Sequence, residues 1–156
     1  MSLRFAGYAA LFDRVDRGGD VIRAGAFGAL PGGVPLLWQH RGAPVGTVER
    51  LATDSRGLRV IARVEDARVA ALVEAGALAG LSIGYRVRAA VTGRVRQLLA
   101  LELVEVSLVA APMQPGARVH LVAGHATRGF PDKVPDPRQP LRGSGESPWL
   151  KAPSSG

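Results

Sequence analysis

The stretch Gly57-Leu58-Arg59-Val60-Ile61-Ala62-Arg63-Val64 has the period-two pattern of a strand with one buried face. The apolar face is formed by Leu58, Val60, Ala62 and Val64. Arg59 and Arg63 fall on the opposite face, where their charges can reach water. This segment is therefore predicted to be a half-buried strand, and the rest of the domain follows the same pattern.

Six further apolar stretches read as strands, over residues 4–12, 34–39, 44–51, 81–87, 95–110 and 118–123. A helix is predicted over 66–75, with Asp66 as its N-cap and Gly76 as the left-handed residue after its end. A second, shorter helix is predicted over 24–30. About seven strands with few helices predict a mainly β fold, a closed antiparallel barrel that leaves no exposed sheet edge.

The composition changes near residue 125. The 156 residues suffice for one domain with a true core. Beyond residue 124, however, Pro, Gly and Ser replace the apolar periodicity, and such a segment buries too little surface to offset its ordering entropy. We therefore expect a folded domain over residues 1–124 and a mostly disordered tail over residues 125–156.

Charge and composition exclude several classes of protein. The chain has 20 Lys+Arg against 13 Asp+Glu, but the basic residues are spread thinly and form no block typical of a nucleic-acid tail. The absence of Cys excludes disulfides, thiolate metal sites and a Cys nucleophile, and it fits a reducing cytoplasm. No apolar run approaches the roughly 20 residues of a membrane span, and the N-terminus lacks the pattern of a signal peptide. No calcium-loop, P-loop or dinucleotide motif is present, so no metal and no cofactor is expected.

His40 and Ser82 are the first two candidates for chemistry. His40 ends the apolar run over 34–39 and precedes a turn, which is where a general base can be fixed and still be reached by substrate. Its position alone favours the alternative, a polar strand terminus with no role. Ser82 lies in a predicted strand two positions before Gly84, and the small residue leaves room for a group to approach the hydroxyl. The alternative is an ordinary outward-facing serine.

Glu102 and Glu105 interrupt the apolar run over 95–110. They are an odd number of residues apart, so on a strand they point to opposite faces. Glu105 is flanked by valine and leucine side chains and is predicted to be the partly buried acid. A carboxylate in such surroundings needs a partner, which could be a histidine that it orients or one of the many arginines.

Five stretches taken in order carry a resemblance to a known family. They are Gly7-Tyr8-Ala9-Ala10-Leu11-Phe12 with Gly19-Asp20-Val21-Ile22 and Gly25-Ala26-Phe27; Pro35-Leu36-Leu37-Trp38-Gln39-His40; Pro44-Val45-Gly46; Leu81-Ser82-Ile83-Gly84-Tyr85; and Glu105-Val106-Ser107-Leu108-Val109 with Pro112. This ordered set resembles the prohead maturation protease of tailed double-stranded DNA bacteriophages, which is related in fold to the herpesvirus maturational protease (assemblin). The match spans roughly residues 5 to 118, and one departure is the short loop between His40 and Pro44.

The resemblance implies a role for each candidate residue. It makes Ser82 the nucleophile, His40 the general base and Glu105 the third member of a Ser-His-Glu triad. Relatives of this fold use a histidine in the third place, so His120 is a rival to Glu105, although it lies outside the matched motif.

The implied function is that of a serine endopeptidase. It would cleave scaffold or the N-terminal segment of the major capsid protein inside a procapsid in the bacterial cytoplasm, in a phage or a gene transfer agent. A homodimer would fit the herpesvirus relatives, and no membrane partner is implied. The alternative is a basic barrel without catalysis that binds capsid-assembly proteins or nucleic acid, although its sparse aromatic residues argue against base stacking.

Overall fold

The computed structural model describes residues 3–124, so the predicted tail over residues 125–156 lies outside the described residues. Eight strands and one helix make up the described part. They are β1 (Leu3–Leu11), β2 (Asp20–Ile22), β3 (Val34–Trp38), β4 (Arg41–Thr53), β5 (Gly57–Val64), α1 (Ala67–Glu74), β6 (Gly80–Thr92), β7 (Arg96–Val109) and β8 (Val119–Gly124). The seven predicted strands are confirmed. β2 is an additional strand, too short to show an alternating pattern.

The eight strands form one mixed sheet, in the order β2-β7-β3-β4-β5-β1-β8 with β6 paired to β7. β7 pairs antiparallel with β6 but parallel with both β2 and β3. The predicted closed antiparallel barrel is therefore wrong. Within residues 3–124, an isolated bridge between Gly80 and Arg118 is the one β-bridge from the β6 side towards the end of the sheet at β8, and no ladder closes the sheet there. Alternation of apolar and polar residues along a strand predicts which face is buried but not the direction of the neighbouring strand. The sequence pattern therefore did not distinguish mixed from antiparallel pairing.

The core lies against the predicted apolar face of β5. Leu58, Val60, Ala62 and Val64 are all 0% exposed, which confirms the prediction for this strand. Other fully buried members of the same cluster are Phe5, Leu36, Leu81, Leu98 and Leu108. The strands that hold these side chains also carry the candidate site, so the core fixes the backbone from which the site projects.

Helix α1 has both predicted ends. The Asp66 carboxylate accepts a hydrogen bond from the backbone N–H of Val69 at 3.0 Å, which satisfies one of the free donors of the first turn. At the other end Gly76 has φ 75°, and its N–H donates to the Val73 carbonyl at 3.1 Å. No helix within residues 3–124 has the length and apolar character to cross a membrane.

The second predicted helix is not formed. Residues 24–30 make turns, in which Gly25 has φ 84° and Gly28 has φ 54°. An α-helix needs φ near −60° at every residue, so the two glycines in the left-handed region end any helix here. The segment still buries Ala26 and Phe27, which explains its apolar composition.

Removing the Asp66 cap is expected to weaken the fold measurably. Asp66→Ala should lower the free energy of unfolding by about 1 kcal/mol, because the N–H of Val69 loses its acceptor. Asp66→Asn keeps a side-chain acceptor and should stay close to the wild type. Urea unfolding followed by circular dichroism measures both. Equal stability of the alanine variant and the wild type would show that the cap contributes nothing.

Candidate active site

His40 lies in the tight turn that joins β3 to β4. Trp38 pairs with Arg41, so Gln39 and His40 are the two turn residues, and both have positive φ, at 53° and 59°. This is the backbone of a type I′ hairpin turn, which usually requires Asn or Gly. The short loop noted in the sequence is thus a two-residue hairpin. It places the imidazole at the end of β3 with 41% of its side chain exposed.

Glu105 on β7 is the hydrogen-bond partner of this imidazole. Its Oε1 lies 2.5 Å from Nδ1 of His40, although the two residues are 65 positions apart in the chain. Glu105 is only 8% exposed, while Glu102 points outward and forms an ion pair with Arg88, as strand alternation predicts. Of the two partners considered for the buried acid, the structure thus shows a histidine. A carboxylate accepts hydrogen bonds, so in the neutral imidazole this contact favours the tautomer with the proton on Nδ1 and with Nε2 as the acceptor.

Ser107, on the same strand, holds both members of this pair. Its hydroxyl donates to Oε2 of Glu105 at 2.7 Å and accepts from the backbone N–H of His40 at 3.2 Å. The backbone of Gln39 is bound to the same strand, through its N–H and the Leu108 carbonyl at 2.9 Å. Ser107 was not predicted as a site residue, because one serine in an apolar run gives no signal of its own.

Gly84 makes room for the acid. It pairs with Glu105 across β6 and β7, and a Cβ atom at this position would lie 2.5 Å from Oε1. Any larger residue would displace the carboxylate from His40. Gly84 was predicted to leave space for a group approaching Ser82, whereas in the structure the Glu105 side chain occupies this space.

Ser82 lies opposite Ser107 on the paired strand and is 6% exposed. It lines a cleft of about 210 Å³, and His40 lines the same cleft. The Ser82 hydroxyl makes no hydrogen bond with any residue in the described range 3–124. The structure therefore brings the three candidates to one place: His40 and Glu105 in direct contact, and Ser82 with His40 at the cleft.

The far wall of the cleft comes from the β7–β8 connection. Met113, Gln114 and Ala117 line it. Gln114 is buried and is fixed to the end of β1: its Oε1 accepts from the Leu11 N–H at 2.7 Å, and its Nε2 donates to the Leu11 carbonyl at 2.9 Å. This pair of bonds anchors the connection to β1 beside the cleft.

His120 is not part of this arrangement. Its ring lies edge-on to Tyr8, with centroids 6.0 Å apart, and it does not line the cleft. Burial lowers the pKa of His120, and the nearby charges of Arg56 and Arg118 lower it further. A histidine among cations is poorly suited to stabilise a second imidazolium.

Comparison with solved structures identifies the fold. The protease of KSHV, solved in complex with a hexapeptide phosphonate inhibitor, is 14% identical, with a TM-score of 0.50 over 80% of this chain and 66% of that one. The varicella-zoster virus protease is 18% identical, with a TM-score of 0.51 over 78% of this chain and 64% of that one. The predicted likeness to the herpesvirus protease fold is confirmed.

Comparison of sequences identifies the family. The prohead protease of Enterobacteria phage HK97 is 34% identical over 94 residues, which cover 53% of this chain and 42% of the phage protein. The chain thus matches less than half the length of that relative. A model of the caudovirus prohead serine proteases matches residues 1–128, which is most of the sequence. The chain belongs to the caudovirus prohead serine protease family.

Proposed function

We propose that this chain is a serine endopeptidase that acts in procapsid maturation, with Ser82 as nucleophile, His40 as general base and Glu105 as the acid that orients His40. The observation that carries the proposal is the Nδ1–Oε1 hydrogen bond of 2.5 Å between His40 and Glu105 beside the cleft that Ser82 lines. This bond leaves Nε2 unprotonated and able to accept the Ser82 proton.

The reaction has two stages, acylation of Ser82 and hydrolysis of the acyl-enzyme. Ser82 Oγ attacks the peptide carbonyl carbon while its proton passes to His40 Nε2, and Glu105 stabilises the imidazolium. The tetrahedral intermediate then collapses: the C–N bond breaks, the imidazolium gives its proton to the leaving amine, and an acyl-enzyme remains. Water attacks the ester by the same route and regenerates Ser82. Neither step requires a metal or an organic cofactor.

The edge of β6 supports a peptide as substrate. Within residues 3–124, the only ladder that β6 forms is with β7, so its other edge is unpaired beyond Ser82. An extended peptide can add to such an edge through main-chain hydrogen bonds, with its scissile bond next to the serine. An unfolded segment of a capsid or scaffold protein meets this requirement.

The family supplies the biological setting. Its members are caudovirus prohead serine proteases, so the proposed substrates are scaffold and the N-terminal segment of the major capsid protein, cut within the procapsid in the host cytoplasm. A gene transfer agent that assembles a phage-like capsid would use the same enzyme. A capsid-assembly module without catalysis is the competing function.

Ser82→Ala and His40→Ala should each reduce turnover of a capsid-derived peptide by about 10⁴- to 10⁶-fold. Each change removes either the nucleophile or its base. The circular dichroism spectrum and the melting temperature of both variants should stay unchanged. Ser55→Ala, which alters an exposed serine in the β4–β5 turn, is the matched control and should cleave normally. Normal processing by the Ser82→Ala protein would refute the protease and favour the assembly module.

Glu105→Gln should reduce turnover by up to about 10⁴-fold, because His40 loses its counter-charge and the tautomer that accepts the Ser82 proton. Glu102→Gln removes only an exposed ion pair and should change activity little. His120→Ala should be similarly mild. Steady-state kinetics of the three variants on one peptide would compare them directly. Near-normal turnover by Glu105→Gln, or a large loss in His120→Ala, would show that the acid is misassigned.

A further inference from the structure

Ser107 is a buried polar residue to which the proposed mechanism assigns no role. It is 0% exposed and does not line the cleft, so it cannot reach a substrate. Both hydrogen bonds of its hydroxyl nevertheless go to the proposed triad, to the carboxylate of Glu105 and to the backbone of His40. A hydroxyl with one donor and two acceptor sites can make both bonds at once.

The two hydrogen bonds of Ser107 restrain two groups, the backbone of the His40 turn and the carboxylate of Glu105. Gln39 and His40 are both in the left-handed region, a strained backbone conformation that persists only where neighbouring contacts hold it. The Glu105 carboxylate faces Gly84, which provides no side chain to support it. With His40 as its only partner, the carboxylate could rotate; a second bond at Oε2 fixes its plane.

We propose that Ser107 is a positioning residue, which joins the His40 backbone to the Glu105 carboxylate and keeps the imidazole aligned for the Ser82 proton. The inference rests on the proposed function. It predicts an effect on kcat with little change in KM, because Ser107 is buried and does not line the cleft in which substrate would bind. It also predicts that most of this effect depends on the charge of Glu105.

A double-mutant cycle tests the coupling. Ser107→Ala alone should reduce kcat about 10- to 100-fold, as expected for loss of a hydrogen bond to a charged group. In the Glu105→Gln background the same substitution should change kcat less than about 3-fold, because the carboxylate that it orients is already absent. The melting temperature of every variant shows that the comparison is between folded proteins.

The outcomes separate the two proposals. Equal losses from Ser107→Ala in both backgrounds, or a rise in KM instead of a fall in kcat, would overturn the positioning role. Full activity of Ser107→Ala beside an inactive Glu105→Gln would overturn it too, and would leave the triad intact. Full activity of Glu105→Gln would refute the proposed acid itself.

The cleft carries a second, independent feature, the carboxylate of Asp16. Asp16 is the one acidic residue among the described residues that line the cleft, and none of these is Lys or Arg, in a chain with a formal charge of +7. Its Oδ1 accepts from the N–H groups of Gly18 and Asp20, while Oδ2 has no partner within residues 3–124. Asp20, by contrast, is paired with Arg96 at 2.7 and 2.8 Å.

The remaining lining suits an aliphatic chain. The apolar lining residues are Ala9, Ile22, Leu81, Ile83, Met113 and Ala117. Tyr85 lies in the same wall, and its pKa is raised by burial and then by the charges of Asp20 and Asp16, in keeping with a negative potential there. Apolar walls with one free carboxylate match a lysine or arginine side chain, whose stem is apolar and whose end is cationic.

We infer that the substrate is a peptide with a Lys or Arg side chain seated in this cleft and paired with Asp16. This also rests on the proposed function. Asp16→Asn is the informative variant, because the amide oxygen can still accept from Gly18 and Asp20 while the charge is removed. Asp13→Asn, on the outer side of the same loop, is the matched control.

A positional peptide library measures the preference. Wild-type enzyme should cleave peptides with Lys or Arg at one position about 10-fold faster in kcat/KM than peptides with norleucine there. Asp16→Asn should lose this preference, because its kcat/KM for the Lys and Arg peptides should fall to its own value for the norleucine peptides. Asp13→Asn should behave as wild type. The same preference in Asp16→Asn, or none in the wild type, would overturn the inference. Failure to cleave any peptide would instead count against the protease.

Discussion

The parallel pairing of β3 with β7 is the constraint on which the site depends. It aligns Leu36 with Val106 and Trp38 with Leu108, so that the chain leaves β3 beside the C-terminal end of β7. The left-handed turn then brings His40 back over the same strand, where Ser107 receives its backbone N–H. Without this register, a histidine and an acid 65 residues apart would have no reason to meet.

The antiparallel pairing of β6 with β7 supplies the other half of the site. It sets Ser82 opposite Ser107 and Gly84 opposite Glu105. The proposed nucleophile Ser82, the acid Glu105 and the serine that binds this acid therefore project from two adjacent strands. Since a strand register is fixed by many hydrogen bonds and a buried face, it holds such groups more firmly than a loop can. β7 is the common partner in both pairings.

The sequence predicted features that depend on one segment at a time. Alternation in β5 predicted its buried face, and the short polar Asp66 and the flexible Gly76 predicted both ends of α1. Parity along β7 separated the buried Glu105 from the exposed Glu102. These properties follow from local side-chain pattern and backbone preference, which a single sequence contains.

The features that the sequence did not predict depend mostly on contacts between two segments that are distant in the chain. The direction of β3 relative to β7 left no trace in either strand, and so a closed antiparallel barrel was expected in place of an open mixed sheet. The use of Gly84 depends on its partner across the ladder. The positive φ values of Gln39 and His40 were hidden as well, because neither residue is typical of a type I′ turn.

The buried polar residues of β7, Glu105 and Ser107, depend on each other and on His40 for their hydrogen bonds. A carboxylate that is 8% exposed is unstable unless its oxygens are bonded, and here Oε1 is bonded to His40 and Oε2 to Ser107. Ser107, with no exposure, in turn needs partners for its own hydroxyl, and the acid and the His40 backbone provide them. The strained turn is therefore held by the same bonds that satisfy the buried acid. Glu105 or Ser107 alone in this apolar strand would leave a buried polar group without a partner. Together with His40 they satisfy each other, and the second ring nitrogen of His40 is what remains for the cleft.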